Sequence, residues 1–105
     1  MSKPVAIVTG AAQGLGHETA LRLAADGFAV AVNDLRVDGR LSALAEKIGG
    51  LAVPADIADA DSVRELVTTV VDRFGGVDVL VGNAAAMEMG PFRPRAGRSG
   101  GARST

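Results

Sequence analysis

The 105-residue sequence predicts an α/β fold with a doubly wound parallel sheet, cut to about four strands and three helices. Three observations carry this. Short apolar runs alternate with stripes of helical period, the connections between them are brief, and a glycine cluster separates the first run from the first stripe.

Val5 to Val8 is a continuous apolar run ending in Thr9-Gly10, which suits a strand buried on both faces. After the glycines, Ala20, Leu23 and Ala24 recur at helical spacing, and Asp26-Gly27 supplies a stop. Phe28 to Val32 is the second buried strand. Leu41, Leu44, Ala45 and Ile48 then fall on one helical face, closed by Gly49-Gly50. Leu51 to Val53 is a short third strand. Val63, Leu66, Val67, Val70, Val71 and Phe74 form the clearest amphipathic stripe, begun near Asp59 to Asp61 and ended by Gly75-Gly76. Val77 to Val81 makes the fourth strand, interrupted only by Asp78. Such an order, with short connections, requires right-handed crossovers and helices on both faces of the sheet.

Hydrophobic residues make up 48% of the chain and aromatic ones only 3%, so the core is aliphatic. There is no cysteine, which excludes disulfides, thiolate nucleophiles and cysteine-ligated zinc and fits a reducing, cytoplasmic setting. The apolar run behind Met1 to Pro4 is too short for a signal-peptide core or a membrane span, so no membrane partner is expected, and no metal site is assigned. Charge is uneven. Residues 1–92 hold all 12 acidic and 7 of the 11 basic side chains, a net −5, whereas 93–105 carry Arg93, Arg95, Arg98 and Arg103. From Gly90 onward Pro and Gly recur among arginines without periodicity. A domain over 1–92 and a disordered Arg/Gly/Pro-rich tail over 93–105 are expected.

Thr9-Gly10-Ala11-Ala12-Gln13-Gly14-Leu15-Gly16 lies between the first strand and its helix. A tight turn needs residues without a Cβ, a backbone that can approach a pyrophosphate, and a helix start that offers N–H groups to the phosphates. Alone, such a turn also serves merely to join strand to helix. Its spacing, T-G-x-x-x-G-x-G, together with its position, resembles the short-chain dehydrogenase/reductase family over residues 4 to 92. That resemblance implies a Rossmann-type fold, a nicotinamide dinucleotide cofactor, and contacts from Thr9, Gly10, Gln13, Gly14, Leu15 and Gly16.

Further positions match the family. Asp34 follows the second strand, about 20 residues beyond the turn, where a carboxylate accepts hydrogen bonds from adenosine ribose hydroxyls, with Leu35 beside it. Its charge repels a 2′-phosphate, so NAD is favoured over NADP, although Arg36 is close enough to blur the preference. Asp56 resembles the aspartate that bonds the adenine amino group, with Ile57 near the base; turn or capping duty explains Asp56 equally well. Asp78 looks like a structural position. Gly82-Asn83-Ala84-Ala85 stands where the family has N-N-A-G. Asn83 and Ala84 match, while Gly82 removes an amide and Ala85 adds a methyl, which weakens the geometry without abolishing binding. The sole histidine, His17, supports no functional assignment.

Family members use a Ser, and a Tyr and Lys in a Y-x-x-x-K pattern, for proton transfer. This chain has no Tyr, and its Lys residues are Lys3 and Lys47. No catalytic residue is therefore assigned, and hydride transfer between the nicotinamide cofactor and an alcohol or carbonyl is expected only if the missing half is supplied, together with its small-molecule substrate. The family-like pattern stops near Phe92, as truncation or a frame shift would leave it. Loss of the later strands is expected to expose the fourth strand as a hydrophobic edge and to promote self-association. A non-catalytic nucleotide-binding module or regulator remains the alternative. The arginine tail lacks interleaved aromatics, so no nucleic-acid partner is expected.

Overall fold

In a computed structural model of the chain, residues 3–12, 14–82 and, for the backbone alone, 86–92 are described. The first strand, β1 (Val5–Val8), leads into helix α1 (Gly14–Ala25). Then follow β2 (Ala29–Asp34), α2 (Gly39–Ile48), β3 (Leu51–Pro54), α3 (Ala60–Phe74), β4 (Val77–Val81) and β5 (Ala86–Phe92). The sheet order is β3-β2-β1-β4-β5. The first four strands of the chain are mutually parallel and β5 is antiparallel to β4.

The period-two alternation of strand side chains sorts the core into two halves, one on each face of the sheet. Val5 and Ile7 of β1, with Ala31 of β2 and Val53 of β3, pack against Leu66 and Val70 of α3. Val8, Val30 and Val32 face the other way, onto Ala20 of α1 and Leu41 and Leu44 of α2. Ile7 is fully buried, so trimming it to Ala would cost about 2–5 kcal/mol. The stripe read over 63 to 74 is thus the inner face of α3. The helix starts where Asp59 accepts the N–H of Asp61, and Asp38 caps α2 by accepting the N–H of Leu41 at 3.0 Å.

Two differences from the sequence reading matter for the site. First, β2 runs on through Asn33 and Asp34, because Asn33 pairs with Val53 and Asp34 with Pro54 across the parallel ladder. Asp34 is therefore the last residue of the strand rather than the loop residue after it. Second, the edge of β4 is not open. β5 lies along it, with Leu80 opposite Met87 and Val81 opposite Ala86, and an irregularity between Val77 and Val79. Backbone pairing needs no side-chain periodicity, which is why Gly90 to Phe92, read as the start of an irregular stretch, belong to a fifth strand. The edge expected to drive self-association is consequently occupied. The expected tail over 93–105 lies outside the described residues.

Candidate functional site

The carboxyl ends of β1, β2 and β3 surround a cleft of about 260 Å³. Thr9 and Gly10 form its floor. Asn33, Asp34 and Leu35 make one wall, and Ala55, Asp56 and Ile57 the other. Loops leaving the same end of a parallel sheet are where open α/β folds place their ligands.

The floor is tied to both neighbouring strands. Thr9 donates its N–H to the Val81 carbonyl at 2.9 Å and its hydroxyl to the same oxygen at 3.3 Å, joining β1 to β4 where the strand order reverses. At the other end of these strands Asp78 performs a matching structural task, accepting the N–H of Val5 at 2.8 Å. Gly10 turns the chain with a φ of 63°, in the left-handed region open to glycine. Ala11 then donates to the Asn33 carbonyl at 2.9 Å, and Ala12 to Asp34 Oδ2 at 3.1 Å. Gly16, in the first turn of α1, lies so close that a Cβ there would press on the Gly10 carbonyl and on Ala11 Cα. A glycine at this position lets the helix start descend onto the turn. No acid occupies the first turn of α1, and a helix N-terminus favours an anion.

Asp34 is half-buried at the lip of the cleft. Its Oδ1 accepts the N–H of Leu35 at 2.8 Å while Oδ2 takes that of Ala12. A carboxylate offers about four lone-pair sites, so the two bonds orient it and leave capacity for ligand hydroxyls. Asp56 performs the turn duty considered for it and borders the cleft. Its Oδ1 accepts the N–H of Ala58 at 2.9 Å, a turn bond. Its own N–H donates to Ser62 Oγ at 2.8 Å. Leu15, Leu35 and Ile57 stand out as large apolar residues left exposed, at 73%, 61% and 56%. Leu35 and Ile57 flank the cleft, and Leu15 belongs to the first turn of α1.

The structure therefore brings together Thr9, Gly10, Asp34, Leu35, Asp56 and Ile57, with Gly14, Leu15 and Gly16 at the adjoining helix start. Gln13, Asn83 and Ala84 lie outside the described residues. Asn33 was missed. The signal was a polar residue closing an apolar strand run, overshadowed by the carboxylate that follows it. Among the described residues, no helix is long and apolar enough to cross a membrane.

A glycine turn between strand and helix, at the carboxyl edge of a parallel sheet and opposite an acid at the end of the next strand, is the arrangement of the Rossmann-type α/β folds. The family model for short chain dehydrogenase matches residues 4–96, a little past the limit read from the sequence, and the chain belongs to that family. It is 48% identical over 99 residues to the short-chain dehydrogenase/reductase eriH of Hericium erinaceus, covering 87% of this chain and 39% of that protein. It is 43% identical over 84 residues to a 3-oxoacyl-(acyl-carrier-protein) reductase of Staphylococcus aureus, covering 75% of this chain and 34% of the relative. A solved short-chain dehydrogenase/reductase variant from Serratia marcescens superposes with a TM-score of 0.69 at 38% identity, over 76% of this chain and 35% of the other. The chain thus spans under two fifths of the length of these proteins. Family membership implies a nicotinamide dinucleotide cofactor, and the glycine contact at Gly16 and the cleft between Asp34 and Asp56 fit such a group.

Proposed function

We propose that this chain is the cofactor-binding portion of an NAD-dependent short-chain oxidoreductase, with residues 1–92 as the binding unit. The observation that carries the reading is the Asp34 carboxylate, fixed by the N–H groups of Ala12 and Leu35 at the lip of the cleft. Gly10, Gln13, Gly14, Leu15 and Gly16 would take the pyrophosphate with the start of α1. Asp34 and Leu35 would hold the adenosine ribose, Asp56 and Ile57 the adenine, and Asn83 and Ala84 the second ribose. A carboxylate at Asp34 disfavours the 2′-phosphate of NADP by like-charge repulsion.

The bound nicotinamide supplies hydride chemistry toward an alcohol or carbonyl. The residues of this chain bind and orient the cofactor. With no tyrosine in its 105 residues, it lacks the family's proton donor and is expected to hold NAD without turning over substrate. A cytoplasmic setting belongs to the same proposal, supported by the cysteine-free composition.

Calorimetric titration of the chain with NAD and with NADP tests this. Binding of NAD tighter than NADP is the expected result. Equal affinities would remove the case for NAD, and no binding of either would remove the dinucleotide reading. Turnover of a panel of simple alcohols by the NAD-loaded chain, read at the nicotinamide absorbance, would contradict the assignment of an inactive portion.

A further inference from the structure

We infer that Asn33 is a positioning residue that sets the spacing between the two walls of the cleft; the inference rests on the dinucleotide reading above and adds to it. Asn33 is 1% exposed, one of two buried polar side chains among the described residues, and it lines the cleft. Its bonds run to all three parts of the site. The backbone carbonyl accepts the N–H of Ala11 in the glycine turn at 2.9 Å. The side-chain Nδ2 donates across the sheet to the Val53 carbonyl at 2.9 Å, with the Ala55 carbonyl at 3.5 Å and the Asp34 carbonyl at 3.2 Å.

The location explains the need for such a residue. Pro54 stands opposite Asp34 as the last pair of the parallel β2–β3 ladder, its nitrogen turned to the open edge of the sheet. Beyond this pair the two strands part to form the walls. The bond from Ala55 N–H to the Asp34 carbonyl at 3.1 Å closes one side, and the Asn33 amide gathers the carbonyls flanking Pro54 from the other. The turn bearing Asp56 and Ile57 is thereby held at a set distance from Asp34. This distance matters to a ligand gripped by both walls at once and hardly at all to one gripped by a single wall.

That difference supplies the test. NAD affinity is measured for the full chain, Asn33→Ala, Asp34→Ala and the double variant, at a temperature where far-ultraviolet circular dichroism shows all four folded. Asn33→Ser, which keeps one donor, replaces Asn33→Ala should the latter not fold. Loss of the amide is expected to weaken NAD roughly tenfold beside Asp34 but less than about threefold in the Asp34→Ala background, a non-additive cycle. An equal fold-loss in both backgrounds would mean general loosening and overturn the inference, as would unchanged affinity in Asn33→Ala. Either result leaves the dinucleotide reading standing if Asp34→Ala itself weakens binding. Failure of the unsubstituted chain to bind NAD would instead overturn that reading, and this inference with it.

Discussion

Asp34 Oδ2 accepts the backbone N–H of Ala12 at 3.1 Å, so the end of the second strand and the glycine turn are joined by a carboxylate that lines the cleft. Removing it has two separable consequences. Asp34→Ala takes the acceptor from Ala12 and Leu35 and should lower stability by about 1 kcal/mol. It should also weaken NAD and narrow the gap between NAD and NADP. Denaturant unfolding together with paired titrations checks both, and a variant that kept its NAD preference would show that the preference lies elsewhere.

The two glycines at the start of α1 should fail in different ways. A methyl at Gly16 has no room beside the Gly10 carbonyl, so Gly16→Ala is expected to cost about 1–3 kcal/mol and to lose cofactor binding as the turn shifts. Gly14 has a φ of 66° and open space where its Cβ would point. Asn tolerates that backbone region, so Gly14→Asn should retain most of the stability while its side chain fills space the pyrophosphate needs. Wild-type NAD affinity in Gly14→Asn would separate that glycine from the cofactor.

Acid sensitivity has a local source in α2. The Leu41 N–H bonded to Asp38 holds this exposed carboxyl below its ordinary value. A pKa lowered by folding means that its stabilisation is fully present above the unfolded value of about 3.9 and is lost as pH falls through the lower folded one. Asp38→Ser, which keeps a cap without a titrating group, should unfold with a flatter acid limb in this window, whereas Asp38→Ala should also melt lower at neutral pH. Identical acid limbs in the wild type and Asp38→Ser would contradict the assignment.

Much of this architecture is legible in the sequence because burial writes a period into it. Leu66 and Val70 announce the inner face of α3, and Val5 to Val8 a strand covered on both sides. The glycine turn is legible because Gly10 and Gly16 answer to backbone demands that other residues meet poorly. What escapes is set by distant partners. Asn33 acts through the carbonyl of Val53, 20 residues away, and nothing local in Val32-Asn33-Asp34 marks that bond. β5 likewise exists through the backbone of β4, and its Gly90-Pro91 pair argues locally against a strand.

The most direct measurement is a two-dimensional amide NMR titration of the isotopically labelled chain with NAD. Shifts should concentrate at Gly10, Leu15, Gly16, Asp34, Leu35 and Ile57, with the amides of Ser42 to Lys47 in α2 and Val67 to Arg73 in α3 left in place. Shifts confined to those helices, or none at NAD concentrations in the millimolar range, would contradict a cofactor site at the carboxyl ends of β1, β2 and β3.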